Sequence, residues 1–90
     1  SNSGESVELL TLIPTLKRQG ARLLALTGNA GSTLGREADI HLYAGAAQEA
    51  CPLNLAPTAS TTAALALGDA IAVALMRARG FTQDEFVRSH

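Results

Sequence analysis

The sequence predicts an α/β fold built on a parallel sheet. Three observations predict it. A short apolar run, Arg22–Thr27, lies between Gly20 and Gly28. A second short run, Ile40–Tyr43, follows it. Helical patterns precede, separate and follow the two runs. A continuous apolar run reads as a strand buried on both faces, as parallel sheets require. Two strands do not make a stable doubly wound sheet, and the first helix opens where a strand ought to deliver the chain. The expectation is therefore the later part of a doubly wound parallel-sheet α-β-α sandwich. Its upstream strands would be absent, and residues 1–90 would be the C-terminal portion of a single domain.

Each element has its own signal. Leu9, Leu12, Ile13 and Leu16 fall at the spacing of one helical face. Ser3 is a candidate N-cap for that helix, Pro14 should kink or shorten it, and Lys17 and Arg18 complement its C-terminal dipole. Gly20 should end it. Gly28 to Gly31 reads as a loop, and Ser32 as the cap of a short helix through Ala38. In the second strand Ile40 and Leu42 point to one face, His41 and Tyr43 to the other. Ala44 to Pro57 has no period and reads as loop with room for one helical turn. From Thr58 to about Arg79 the chain is helical and apolar nearly all round, which predicts burial in a core or a subunit interface. Gly80 stops that helix. Thr82 caps a last short one, with Asp84 and Glu85 in its first turn.

Composition narrows the functional classes. Of the 90 residues 47% are hydrophobic and only 3% aromatic, so the core should be Leu, Ala, Ile and Val. The net charge of −1 and a pI near 6.0 lack the basic footprint of a nucleic-acid binder. Lys17–Arg18 and the Arg77/Arg79 pair have no aromatics beside them for base stacking and read as solvated helix ends. The single cysteine, Cys51, suits a reducing compartment and reads as a small loop residue beside Pro52. No secretory leader is read at the start, so a cytoplasmic location is expected. The most apolar stretch, Ala63–Met76, is short for a membrane span and carries Asp69, so no membrane partner is expected. His41 and His90 share no metal-ligand spacing, and neither a metal nor another cofactor is expected.

Two polar segments could bind an anion. Ser1-Asn2-Ser3-Gly4-Glu5-Ser6 sets hydroxyls and a glycine before a helix, where free N–H groups and the dipole favour negative charge. Read plainly, it is an ordinary cap, and Glu5 and Glu8 oppose a phosphate unless they point elsewhere. Pro57-Thr58-Ala59-Ser60-Thr61-Thr62 is likewise either a cap cluster or an anion site. The glycines between Gly28 and Gly35 match neither a P-loop nor a dinucleotide fingerprint and read as a turn. Glu49, in the loop after the second strand, is placed for general-base work.

These residues resemble a known family. Ser1–Ser6 resembles the S-x-S-G-x-[ST] phosphosugar loop of sugar isomerase (SIS) domains, a flavodoxin-like fold. Ser32–Asp39 resembles the S-x-L-A-x-x-A-D stretch of the same domains, with Gly35 in place of the usual Ala. Glu49–Thr58, Ser60–Thr62 and Gly80-Phe81 through Ser89-His90 are similar to the arabinose-5-phosphate isomerase family. The resemblance implies a five-stranded parallel sheet and a sugar-phosphate ligand. It implies that Ser1, Asn2, Ser3 and Ser6 hold the phosphate and that Glu8, Glu49 and His90 belong to the active site. It also implies an upstream lysine without counterpart here, a homo-tetramer, and in many members a pair of CBS domains.

The expected reaction is aldose–ketose isomerisation between D-arabinose 5-phosphate and D-ribulose 5-phosphate through an enediol, with lipopolysaccharide precursor synthesis as the implied pathway. The alternative is a non-catalytic sugar-phosphate-binding regulatory module. The isolated 90 residues, lacking the upstream strands and lysine, are expected to be inactive alone.

Overall fold

A computed structural model describes residues 1–80 and 82–90. Phe81, within the Gly80–His90 segment of the resemblance, lies outside the described residues. The order is α1 (Val7–Leu10), α2 (Ile13–Arg18), β1 (Leu24–Thr27), α3 (Thr33–Glu37), β2 (Ile40–Tyr43), α4 (Ala59–Ala78) and α5 (Gln83–Ser89). The two strands pair in parallel, with Leu24 opposite Ile40 and Thr27 opposite Tyr43. This is the expected α/β arrangement, with α3 as the crossover. Asp39 fixes the register at the strand entry. Its carboxylate accepts the Leu23 N–H at 2.7 Å, and its own N–H donates to the Leu23 carbonyl at 2.9 Å.

The first helix is two helices. Pro14 sits in the first turn of α2 and has no N–H to offer Leu10, so α1 ends there. Ser6, not Ser3, holds the N-cap position of α1. Its carbonyl accepts from Leu9 and Leu10 at 3.1 and 3.0 Å, while its hydroxyl turns to Ser1. Gly20 ends α2 as expected. At φ +75° it lets Ala21 N–H reach the Leu16 carbonyl and its own N–H reach Lys17, a paired closure of the last turn. Ser32 and Thr82 cap α3 and α5 as expected, accepting from Gly35 N at 3.1 Å and Glu85 N at 3.3 Å.

Within these 90 residues the cover over the elements is uneven. Strand β1 is unevenly buried: Ala25 and Thr27 are 4% and 1% exposed, whereas Leu24 is 46% exposed. The loop from Ala44 to Pro57 contains no helical turn. Helix α4 is exposed along most of its length, with only Ser60 buried. An all-round apolar helix needs cover on several sides, and these 90 residues supply little of it. At 20 residues, α4 is also longer than the apolar stretch read from sequence. By length and composition it could cross a membrane, although Asp69 in its centre would cost about 2.5–3.5 kcal/mol there.

Candidate active site

The strands β1 and β2 run parallel, so their C-terminal ends open on the same side. Ligands of open α/β sheets bind on that side. A cavity of about 530 Å³ lies there. Thr27 and Ala44, at the strand ends, line it, together with Ser1, Asn2, Ser3 and Ser6 from the polar loop and Glu49, Ser60 and Thr61 from the mouth of α4.

The polar loop is held in shape by its own hydroxyls and by the turn after β1. Ser1 Oγ lies 2.8 Å from Ser6 Oγ and accepts Gly4 N–H at 3.0 Å, and Ser3 Oγ accepts Glu5 N–H at 3.1 Å. Gly28 N–H donates to the Asn2 carbonyl at 2.7 Å, and Leu34 N–H to the Gly4 carbonyl at 3.0 Å. Gly4 is buried at φ +71°, a conformation that favours glycine. The Glu5 carboxylate turns out of the loop and accepts the Thr33 N–H at 3.2 and 3.3 Å. Its charge is therefore spent at the start of α3, which leaves the serine hydroxyls facing the cavity.

The second polar segment is a cap that already contains its anion. Glu49 Oε1 accepts the N–H groups of Ser60 at 2.8 Å and Thr58 at 3.4 Å, and Oε2 accepts the Ser60 hydroxyl at 2.5 Å. The hydroxyls of Thr61 and Thr62 bond back to the Thr58 carbonyl at 2.8 and 2.9 Å. The Ser60 hydroxyl first, and then the Ser60 N–H, hold the Glu49 carboxyl below the ordinary carboxylate range. Glu49 is thus an ionised carboxylate facing the serine loop across the cavity. The start of α4 is thus occupied from within, and the serine loop is the polar segment left open to the cavity.

The structure brings Ser1, Asn2, Ser3, Ser6 and Glu49 to one cavity. Glu8 is exposed on α1 and does not line it. His90 closes α5, stacked on Phe86 with ring centroids 4.2 Å apart and Nδ1 3.1 Å from the Phe86 carbonyl, and it too stands outside the lining. Sequence reasoning missed Thr27. Its hydroxyl meets His41 Nε2 at 2.6 Å, donates to the Asn29 carbonyl at 2.9 Å and accepts Asn29 N–H at 3.1 Å, which sets the turn that carries Gly28. A hydroxyl residue at a strand end just before a glycine was the available signal. Cys51 lies half-buried in the loop, and backbone N–H groups of Ala56 and Leu55 lower its thiol pKa.

Relatives share this arrangement of sequence. Over all 90 residues the chain is 63% identical to the arabinose 5-phosphate isomerase KdsD of Yersinia pestis and 58% identical to that of Escherichia coli. It spans 27% of the length of each of these two proteins. Among solved structures, an Escherichia coli protein in complex with arabinose 5-phosphate superposes with a TM-score of 0.88 at 39% identity. A candidate sugar-phosphate isomerase from Listeria monocytogenes superposes at 0.90, also at 39%. All of the chain is covered in both, against 48% and 47% of those chains. The SIS domain model matches residues 1–74, from the serine loop through most of α4. A match over that span, on a parallel α/β frame whose strand ends open on the serine loop, means that the chain belongs to the SIS domain family.

Proposed function

We propose that this chain is the phosphate-binding and base-bearing portion of an aldose–ketose isomerase. It would interconvert D-arabinose 5-phosphate and D-ribulose 5-phosphate within the full-length protein that carries it. One observation carries the reading: the serine loop and the Glu49 carboxylate line the same cavity. A phosphosugar held by its phosphate at one wall would present its carbon chain to a base at the other. The names of the relatives and the ligand of the solved Escherichia coli neighbour supply the sugar.

Isomerisation moves a proton between C1 and C2 through an enediol and needs a base together with groups that stabilise charge on the oxygens. The hydroxyls of Ser1, Ser3 and Ser6 and the Asn2 amide hold the phosphate. Glu49 takes the proton from one carbon and returns it to the other. Its lowered pKa keeps it ionised and lessens its basicity, so its position rather than its affinity for protons suits it to the role. Glu8 and His90, which stand outside this cavity, would assist ring opening or polarise the sugar hydroxyls only once the site is completed by residues outside this chain, an upstream lysine among them. The protein would work as a cytoplasmic homo-tetramer, with lipopolysaccharide precursor synthesis as its pathway.

The test is turnover by the full-length protein with arabinose 5-phosphate, run beside glucosamine 6-phosphate and fructose 6-phosphate. Selective turnover of the pentose phosphate is expected. In Glu49→Gln, turnover should fall on the order of 10²–10⁴-fold with sugar-phosphate binding kept. Near-normal turnover in that variant would sink the base assignment. Binding without turnover by the unsubstituted protein would favour a regulatory module.

A further inference from the structure

We infer that Ser60 is a positioning residue for Glu49, fixing its carboxylate across the cavity from the serine loop through two bonds from one residue. The inference rests on the isomerase reading for its kinetic consequences but not for its geometry.

The geometry is a fork. Ser60 lies in the first turn of α4 and is 4% exposed. Its N–H holds Oε1 at 2.8 Å, and its hydroxyl holds Oε2 at 2.5 Å. Two bonds from one rigid residue to both oxygens prevent the carboxylate from rotating about its last torsion. The main chain on either side of the carboxylate is pinned as well. Glu49 N–H donates to Asn54 Oδ1 at 2.6 Å, and Ala50 N–H to Thr58 Oγ1 at 2.7 Å. Among the described residues that line the cavity, Glu49 alone has an ionisable side chain, and no charged side chain contributes to its shift. On β2, His41 bonds to the hydroxyl of Thr27, and Tyr43 is the strand's other titratable side chain. The carboxylate is therefore held by hydrogen bonds, those of Ser60 foremost, rather than by a neighbouring ion. Without the hydroxyl, Oε2 loses its donor, so the carboxylate gains freedom to turn and protonates at higher pH.

The experiment uses the full-length protein with Ser60→Ala and the rescue variant Ser60→Thr. Ser60→Ala removes the hydroxyl and fits in the space left behind. If it melts early, Ser60→Cys keeps the volume with a weaker donor and is read the same way. The Glu49 carboxyl is titrated by ¹³C NMR without substrate, beside kcat, KM and the pH profile of kcat/KM. In Ser60→Ala the titration and the acid limb should both move to higher pH. The value of kcat should fall roughly tenfold to a hundredfold with KM little changed. Ser60→Thr should restore the acid limb. An unmoved Glu49 titration overturns the inference whatever the turnover. A moved titration in a protein that turns over no sugar phosphate upholds the positioning role and overturns the isomerase reading.

Discussion

Gly4→Ala is the sharpest test of how the phosphate loop is built, and Gly20→Ala is its control. Both glycines have positive φ, +71° and +75°. Each substitution forces a side chain into the left-handed region, at a cost of about 1–2 kcal/mol. There the likeness ends. A Cβ at Gly20 meets nothing within 4 Å. A Cβ at Gly4 overlaps the Cβ and Oγ of Ser32 and comes to 3.4 Å from Thr27 Cγ2. Ser32 is 2% exposed and cannot swing out to solvent. Its hydroxyl caps α3 through Gly35 N–H.

Displacing Ser32 therefore adds overpacking, about 1–3 kcal/mol, and the loss of a cap, about 0.5–2 kcal/mol. Gly4→Ala should cost about 2.5–7 kcal/mol in all, and Gly20→Ala only the first contribution. The assay is urea unfolding of the full-length protein followed by far-UV circular dichroism, beside sugar-phosphate affinity at a urea-free condition where both variants remain folded. Gly4→Ala should show the lower midpoint and the weaker binding. Equal midpoints for the two variants would refute the claim that loop and α3 cap share one space.

Two further outcomes follow from the same geometry. Thr27→Val keeps the shape but strips the hydroxyl from His41 and from the Asn29 N–H, so it should cost about 1–3 kcal/mol and loosen the Gly28 turn that holds Asn2. A thermal melt and a sugar-phosphate titration would show both, and an unchanged affinity would detach Thr27 from the site. Lys17 Nζ lies 2.8 Å from Glu37 Oε2 on the surface, and this bond holds the Glu37 carboxyl below its ordinary range. A depressed folded-state pKa gives stability above the unfolded pKa and loses it as pH falls through the folded one. The difference between Lys17→Met and the unsubstituted protein should therefore be small, shrink with salt, and vanish in acid. A difference that grew in acid would contradict the pairing.

Much of the frame was legible because local chemistry decides it. Gly20, Ser32, Gly80 and Thr82 mark element ends by rules that act within one turn, and β2 runs from Ile40 to Tyr43 as its alternation suggests. The rest depends on residues distant in sequence. Ser3 satisfies the pattern of an N-cap, yet its hydroxyl serves the loop, and Ser6 takes the cap position. Leu24 looks like a strand residue buried from both sides, yet it is 46% exposed within these residues. The apolar circumference of α4 likewise records a surface to be covered without naming the cover.

The site shows the same division. Hydroxyls at two helix mouths suggested two anion sites, and sequence spacing treats them alike. What separates them is a carboxylate found nine residues before one of the mouths. Glu49 folds back onto Thr58 and Ser60, so the start of α4 is neutralised from within. At the serine loop the nearby acid, Glu5, is drawn off to Thr33, and the hydroxyls remain for a ligand. One mouth thereby keeps its hydroxyls open to the cavity, and the other holds a fixed carboxylate beside it. That assignment depends on where two glutamate side chains turn, which only the folded chain determines.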